Sequence, residues 1–419
     1  MSLMSRRSWP VGLFAVVALG ASSASTPPQV PAAGPSGWFQ WRGPNRDGKS
    51  IEHGLLQEWP PDGPRQVWRA TGAGTGYSSF AAAGGRLLTQ GARDGTEYVM
   101  AFDAATGTKV WETARGRRFR NDRGDGPRGT PTIDGDRLYA LGGSGDLSCL
   151  EVATGRAVWS VNVLDEFGGS NPQWGLSESP LVLGDRVLVN AGGRNASIVA
   201  LDKRDGSVLW QSQSDGAGYS SAVATRVGDT PLAVFFTAER ALGLDVRDGR
   251  LLWDYRPVSN RTANIATPIV HGSRVFLSSD YGTGAALLEM QPSAGGITAR
   301  EVYFTRDMRN HHSSSVLVGD HLYGFSSSIL TALRFADGET AWRDRSVGKG
   351  SVIYADGRLY LFSENGVVGL AEASPDGYRE HGRFSIRQGS LPTWTHPIIS
   401  DGRLILRDQD TLYAYDVKR

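Results

Sequence analysis

The sequence predicts an all-β fold, an eight-bladed β-propeller of four-stranded antiparallel blades whose ring is closed by strands from the two ends of the chain. Three observations predict it. A tryptophan recurs with a fixed prelude, an acid eight residues before it and a glycine four before it, in Asp103-Ala-Ala-Thr-Gly-Thr-Lys-Val-Trp111, Glu151-Val-Ala-Thr-Gly-Arg-Ala-Val-Trp159, Asp202-Lys-Arg-Asp-Gly-Ser-Val-Leu-Trp210 and Asp245-Val-Arg-Asp-Gly-Arg-Leu-Leu-Trp253. These tryptophans follow one another at 48, 51 and 43 residues, a period that suits propeller blades better than helical solenoids. The second observation is a glycine turn ahead of an alternating strand, as in Asp134-Gly-Asp-Arg-Leu-Tyr139 and Asp356-Gly-Arg-Leu-Tyr360. Asp-Gly between alternating runs is a strong hairpin signal. Eight such turns occur, at Gly84, Gly135, Gly184, Gly228, Gly272, Gly319, Gly357 and Gly402, and they count eight blades. The third is at the C-terminus, where Leu412-Tyr-Ala-Tyr-Asp416 stops where the other copies continue into a tryptophan strand. Gln66-Val-Trp68-Arg69 is the strand expected to fill that place, leaving no long open edge.

Taken in order, residues 1–24 read as an export signal: Arg6 and Arg7 precede an apolar run from Val11 to Leu19, too short to span a bilayer, and small residues follow up to Ala24. Residues 25–37, rich in proline and small residues, read as a flexible linker. Residues 38–65 read as a strap packed on the ring and held by aromatic residues, and residues 66–419 as the propeller. A fifth motif copy ending at Trp342 has Arg334 in place of the acid. Two further copies, Met290 to Tyr303 and Glu372 to Phe384, carry another aromatic in place of tryptophan and are expected to be blades all the same.

Composition agrees with this plan. Glycine makes 54 of 419 residues against an ordinary share of about 7%, as frequent tight turns require. Lys+Arg 44 against Asp+Glu 43 leaves a net charge of +1, which argues against bulk electrostatic binding of nucleic acid. The one cysteine, Cys149, lies in a predicted strand and reads as a small buried apolar residue; no cysteine stands near the cleavage region to take a lipid anchor. The mature chain is therefore expected to be an exported protein, periplasmic or secreted, with no transmembrane span and no lipid anchor, and to be a monomer.

The five motif copies in register resemble the repeats of the pyrroloquinoline-quinone (PQQ) propeller superfamily over roughly Trp38 to the C-terminus. The resemblance implies that Trp68, Trp111, Trp159, Trp210, Trp253 and Trp342 dock on a glycine-containing turn of the neighbouring blade and touch no cofactor. It also implies that a cofactor, where one is bound, sits on the face built by loops leading from each tryptophan strand to the next inner strand. A PQQ alcohol dehydrogenase of that superfamily would bring adjacent cysteines over the cofactor and Glu, Asn and Asp around Ca²⁺, and a single cysteine excludes the first of these.

On that face the loop 115–128 carries six arginines, and Arg117, Arg118, Arg120 and Arg128 are candidates to clamp a carboxylated ligand by bidentate bonds. Trp174 offers an aromatic plate. Asn171 and Glu178 are a conceivable oxygen pair for Ca²⁺, short of the six or more ligands that ion takes. His312, Trp394 and His396 join the candidates; His311 and His312 would point oppositely in a strand, which suits a polar funnel lining better than a shared metal. Gly74-Thr-Gly-Tyr-Ser-Ser79 and Gly216-Ala-Gly-Tyr-Ser-Ser221 open two inner strands, with serines read as channel residues because no acid–histidine pair accompanies them. No catalytic residue is assigned, and PQQ with Ca²⁺ is admissible as a cofactor without a complete site. Eight short blades, an export signal and no catalytic set resemble the barrel-assembly family BamB. The expected function is a non-catalytic scaffold binding exported or envelope proteins or a ligand on its loop face. A PQQ/Ca²⁺-dependent oxidoreductase is the first alternative and a small-ligand or carbohydrate-associated accessory protein the second.

Overall fold

In the computed structural model, which describes residues 1, 37–294, 296–386 and 389–419, thirty-two strands form eight four-stranded antiparallel sheets. The expected signal and linker, 1–24 and 25–37, lie outside the described residues except at their ends. Blade one shows the plan: β1 (Gln66–Ala70) belongs to the closing blade, and β2 (Ala81–Ala83), β3 (Arg86–Arg93), β4 (Thr96–Asp103) and β5 (Lys109–Arg117) run from the axis outward as a meander. Blades two to seven repeat it over 132–162, 181–212, 223–255, 269–305, 316–344 and 350–385. Blade eight takes its three inner strands from 398–416 and its outer strand from β1, with Trp68 opposite Ala414 and Ala70 opposite Leu412. No helix among the described residues is long and apolar enough to cross a membrane.

The inner three strands of each blade alternate between apolar side chains on both faces, because each face packs against a neighbouring blade; outer strands alternate exposed and half-buried positions. The recurring motif locks one blade to the next. Asp103 accepts bonds from the backbone N–H of Ala105 and Thr106 and from the Thr106 hydroxyl, and these bonds hold its carboxyl below the usual carboxylate range. The turn ends at Gly107, in the left-handed region at φ 73°. A Cβ there would lie 2.7 Å from the indole of Trp68, whose Nε1 donates to the Ala104 carbonyl at 3.1 Å.

The same seating recurs around the ring: Trp111 lies over Gly155 and donates to Val152, Trp159 over Gly206 and to Lys203, Trp210 over Gly249 and to Val246. Trp342 donates to the Ser374 carbonyl at 2.9 Å. The substituted copies keep the arrangement, with Tyr303 over Gly338 and Phe384 over Gly63, in the turn ahead of the closing strand Gln66–Ala70. Trp253 departs from the expected docking. Its indole N–H is buried without a partner and its ring lies over Gly243 of its own blade, packed with Met290 and Ile297. The physical reason is in blade five, where two ten-residue strands, Gly284–Ser293 and Gly296–Thr305, replace the acid–glycine turn that would have received it.

Candidate functional site

The strap is a plug. Trp38 pairs with Ala82 on the innermost strand of blade one, and the Phe39 carbonyl accepts from Ile133 of blade two. From there Trp41 donates to Thr267 of blade five at 2.9 Å, and Gly48 and Ser50 bond to Tyr354 of blade seven. Two arginines do most of the anchoring, where aromatic side chains had been expected to. Arg42, 2% exposed, donates to the Ser314 and Ser315 carbonyls at 3.2 and 2.6 Å. Arg46, 3% exposed, donates to Ser179 and Ala222 carbonyls at 3.1 and 2.9 Å and reaches Pro180 and Thr132. The inner strands start next to the axis, where their leading carbonyls have no ladder partner; a guanidinium supplies several donors at once in a space that a neutral side chain could not satisfy. Burial pulls Arg42 down to about 10 and Arg46 to about 9, so both stay cationic at neutral pH.

Above this plug the blade-connecting loops enclose a cavity of about 470 Å³ on the axis. Trp41 reaches it from the strap, Tyr77 and Tyr219 from the two Gly-x-Gly-Tyr-Ser-Ser segments, and Trp174, Tyr281 and Trp394 from three other sectors. The rings support one another: Tyr77 lies 5.2 Å from Trp394, Trp174 5.6 Å from Tyr219, and His312 is stacked on Trp394 at 5.8 Å. Among the described residues, the cations on the lining are Arg123, Arg128 and Lys349, and no aspartate or glutamate lines it. Arg128 stands over Tyr77 and Phe119 at 5.7 and 4.8 Å and donates to the Gly124 and Gly126 carbonyls, so its charge is held by rings and backbone and by no carboxylate bond. Lys349 has Glu364 behind it at 3.6 Å. His396, 4% exposed, packs on Trp41 at 4.6 Å and is pushed down to about 3 by burial and by Arg42. Burial and the neighbouring cations also keep His311 and His312 below their ordinary value.

Of the sequence candidates, Arg128, Trp174, His312, Trp394 and His396 come together on the cavity. Arg117, Arg118 and Arg120 do not, because β5 runs on to Arg117 and carries them outward along the rim of blade one, where Arg118 faces Asp125 at 3.5 Å. Arg123 and Arg128, further along the same loop, do line the cavity. The proposed calcium pair is not assembled either. Asn171 donates to the Gly143 carbonyl at 2.9 Å, while Glu178, 2% exposed, lies below the cavity floor and accepts from the Asn190 N–H. Burial pushes the Glu178 carboxyl up to about 8. No group of three His, Cys, Asp or Glu that could hold a metal occurs among the described residues. His311 and His312 sit in a loop, the strand alternation does not apply, and both face the cavity. Trp41, Tyr77, Tyr219, Tyr281, Arg123 and Lys349 escaped sequence reasoning; the paired Gly-x-Gly-Tyr segments were the signal available for two of them.

The comparisons with known proteins agree with this architecture. The sequence profile of the family described as outer membrane protein assembly factor BamB matches residues 53–173 and 95–344. A curated relative of that description from Yersinia pestis is 24% identical over 316 residues, 72% of this chain and 76% of the relative. Among solved structures, BamB from Moraxella catarrhalis superimposes with a TM-score of 0.63 at 17% identity, covering 85% of this chain and 98% of the other. A quinohemoprotein alcohol dehydrogenase from Comamonas testosteroni has a TM-score of 0.65 at 12% identity, covering 91% and 81%, a likeness of fold. With well over half of its 419 residues matched by the family profile, the chain belongs to the family described as outer membrane protein assembly factor BamB.

Proposed function

We propose that this protein is a non-catalytic scaffold of the bacterial envelope that binds protein partners involved in outer-membrane protein assembly through the loop face of its ring. The observation that carries the reading is the family match, which spans blades one to six and belongs to proteins described as outer membrane protein assembly factors. The site supports it in a second way. The loops that a quinoprotein enzyme would use for cofactor and calcium instead hold Asn171 on a backbone carbonyl and bury Glu178 under the floor. A closed ring with a plugged axis is also a rigid platform, and rigid scaffolds bearing short loops suit partner recognition. On this reading the chain acts after export, at the envelope.

The test is site-specific photo-cross-linking in the native host, with the photoreactive residue placed at the exposed loop positions Arg123 and Tyr281 and, as a control, at Arg156 on the outer rim. Discrete adducts with envelope proteins from the two loop positions, absent from the rim position, are expected. Adducts that form equally at all three, or none from the loops, would remove the loop face as the docking surface.

A further inference from the structure

We propose that the ring carries a second docking site on the face away from the loops, where an extended, uncharged segment of a partner polypeptide adds as a strand to the inner edge of blades four and five. The ladders place the groups such a strand needs. In each blade a two-residue turn joins the innermost strand to the next, Gly84-Gly85 in blade one and Gly228-Asp229 in blade four. The residues flanking the turn bond to each other, so the second and fourth residues before it make no ladder bond and aim their N–H and C=O at the axis. Pro231, which has no N–H, stands opposite Arg226 in blade four and agrees with that phase.

The strap already uses this edge. Ala82, Ile133 and Tyr354 stand two residues before the turn in blades one, two and seven, and they bond to Trp38, to Phe39, and to Gly48 and Ser50. Trp38 pairs antiparallel and Lys49 parallel, so the edge accepts a strand in either direction. Among the described residues the strap makes no backbone bond to blade four or blade five. At the fourth residue before the turn, proline removes the axial N–H in blades two, three, five and eight, as Pro131, Pro180, Pro268 and Pro397. Blade four has Ala224 there and keeps its N–H. Its inner strand, Val223–Val227, has five residues where six of the eight inner strands have three; the other long one, Gly350–Ala355, is the strand that the strap pairs with at Tyr354.

In front of this edge a cavity of about 400 Å³, in the range of ligand sites, opens between strap residues 44–47 and blades three to five. Ala224 and Val270, both half-buried, line it. Val270 is the second residue before the turn of blade five, so it too turns its N–H and C=O to the axis. Leu181, Val223 and Ile269 supply apolar wall. The charged lining residues are engaged within the chain: Arg46 with the Ser179 and Ala222 carbonyls, Asp47 with Lys49 at 3.2 Å, and Arg226 with the Asp229 carbonyl at 3.0 Å. Recognition therefore falls to backbone donors and acceptors at strand spacing, which an uncharged extended peptide matches, while its side chains meet the apolar wall.

The experiment is a calorimetric titration of the purified full chain with acetyl-Thr-Val-Thr-Val-amide, with the same peptide N-methylated at every residue as the control, and with amide exchange measured on the complex. One-to-one binding below about 1 mM is expected, with the N-methylated peptide at least about tenfold weaker. Exchange should slow at Ala224 and Val270 and stay unchanged at Ala82 and Ile133, where the strap is bound. Ala224→Pro deletes the axial N–H without touching a ladder bond, as the prolines of four other blades do. It should weaken the peptide at least about tenfold while the melting temperature stays within a few degrees of the parent. The proposal is overturned by no binding below about 1 mM, by equal binding of the N-methylated peptide, by slowed exchange confined to the loop face, or by unchanged affinity in folded Ala224→Pro. Binding that appears only once residues 2–36 are removed would make the chain's own N-terminal segment the occupant, and a dimer that the peptide dissociates would make it a second copy; either result also overturns the proposal.

Discussion

Replacing Gly155 by alanine isolates the contact that joins one blade to the next. Gly155 has φ 72°, and a Cβ built on it would lie 2.4 Å from Cε3 of Trp111 and 2.7 Å from the Thr113 hydroxyl. The left-handed conformation alone costs an L-residue about 1–2 kcal/mol. Forcing a methyl into a filled contact adds about 1–3 kcal/mol, because the indole is pinned by its bond to Val152 at 3.0 Å and cannot withdraw freely. The sum is about 2–5 kcal/mol. Gly84 is the internal control: its φ is 55° and nothing lies within 4 Å of where its Cβ would be, so Gly84→Ala bears only the conformational cost. Urea denaturation of both variants, read by tryptophan fluorescence and circular dichroism, should place Gly155→Ala below Gly84→Ala by the packing term. Equal destabilisation of the two would refute the claim that the glycine is there to admit the neighbouring tryptophan.

Three further outcomes follow from the same geometry. Trp111→Phe should cost about 1 kcal/mol more than Trp253→Phe for the lost hydrogen bond, since the Trp253 N–H has no partner to lose; paired urea midpoints check it. Arg46→Met should cost about 3 kcal/mol or more by stripping donors from the Ser179, Pro180 and Ala222 carbonyls, and amide exchange should rise first at 179–182 and 222–224; protection unchanged there would remove the plug from the stability argument. Burial raises Glu178 from an ordinary 4.5 to about 8, so the stability tied to its protonated form is full below 4.5 and is lost as pH rises through 8. Glu178→Gln keeps the neutral form at every pH, and its melting temperature should fall less than the parent's between about pH 5 and about pH 9; parallel curves would contradict the assignment.

Much of the ring was legible because its signals are local. A glycine turn fixes a hairpin, an acid–glycine–tryptophan run fixes the corner to the outer strand, and the orphan strand Gln66–Ala70 announces its own partner at 412–416. The substituted copies were legible for the same reason, since Tyr303 and Phe384 stand at the tryptophan register. Trp253 was misread because docking belongs to two blades at once, and the receiving turn of blade five is missing.

The site was legible only in part. Arg128, Trp174, His312, Trp394 and His396 lie on loops that every blade sends to the same face, so the repeat alone places them near the axis. Whether a loop residue turns inward is settled by a few dihedral angles after the strand ends, which is why Arg117, Arg118 and Arg120 stay on the rim while Arg123 and Arg128 arrive. The sequence by itself determined the number of blades, their order and the way the ring closes, because those follow from periodic turn chemistry and strand alternation. Only the tertiary structure decided that the strap crosses the axis, that Arg42 and Arg46 cap the carbonyls of three blade entrances, and that Glu178 is buried. The reason is that the two arginines bond to blade groups more than eighty residues away, whose convergence exists only once eight blades have met around one centre.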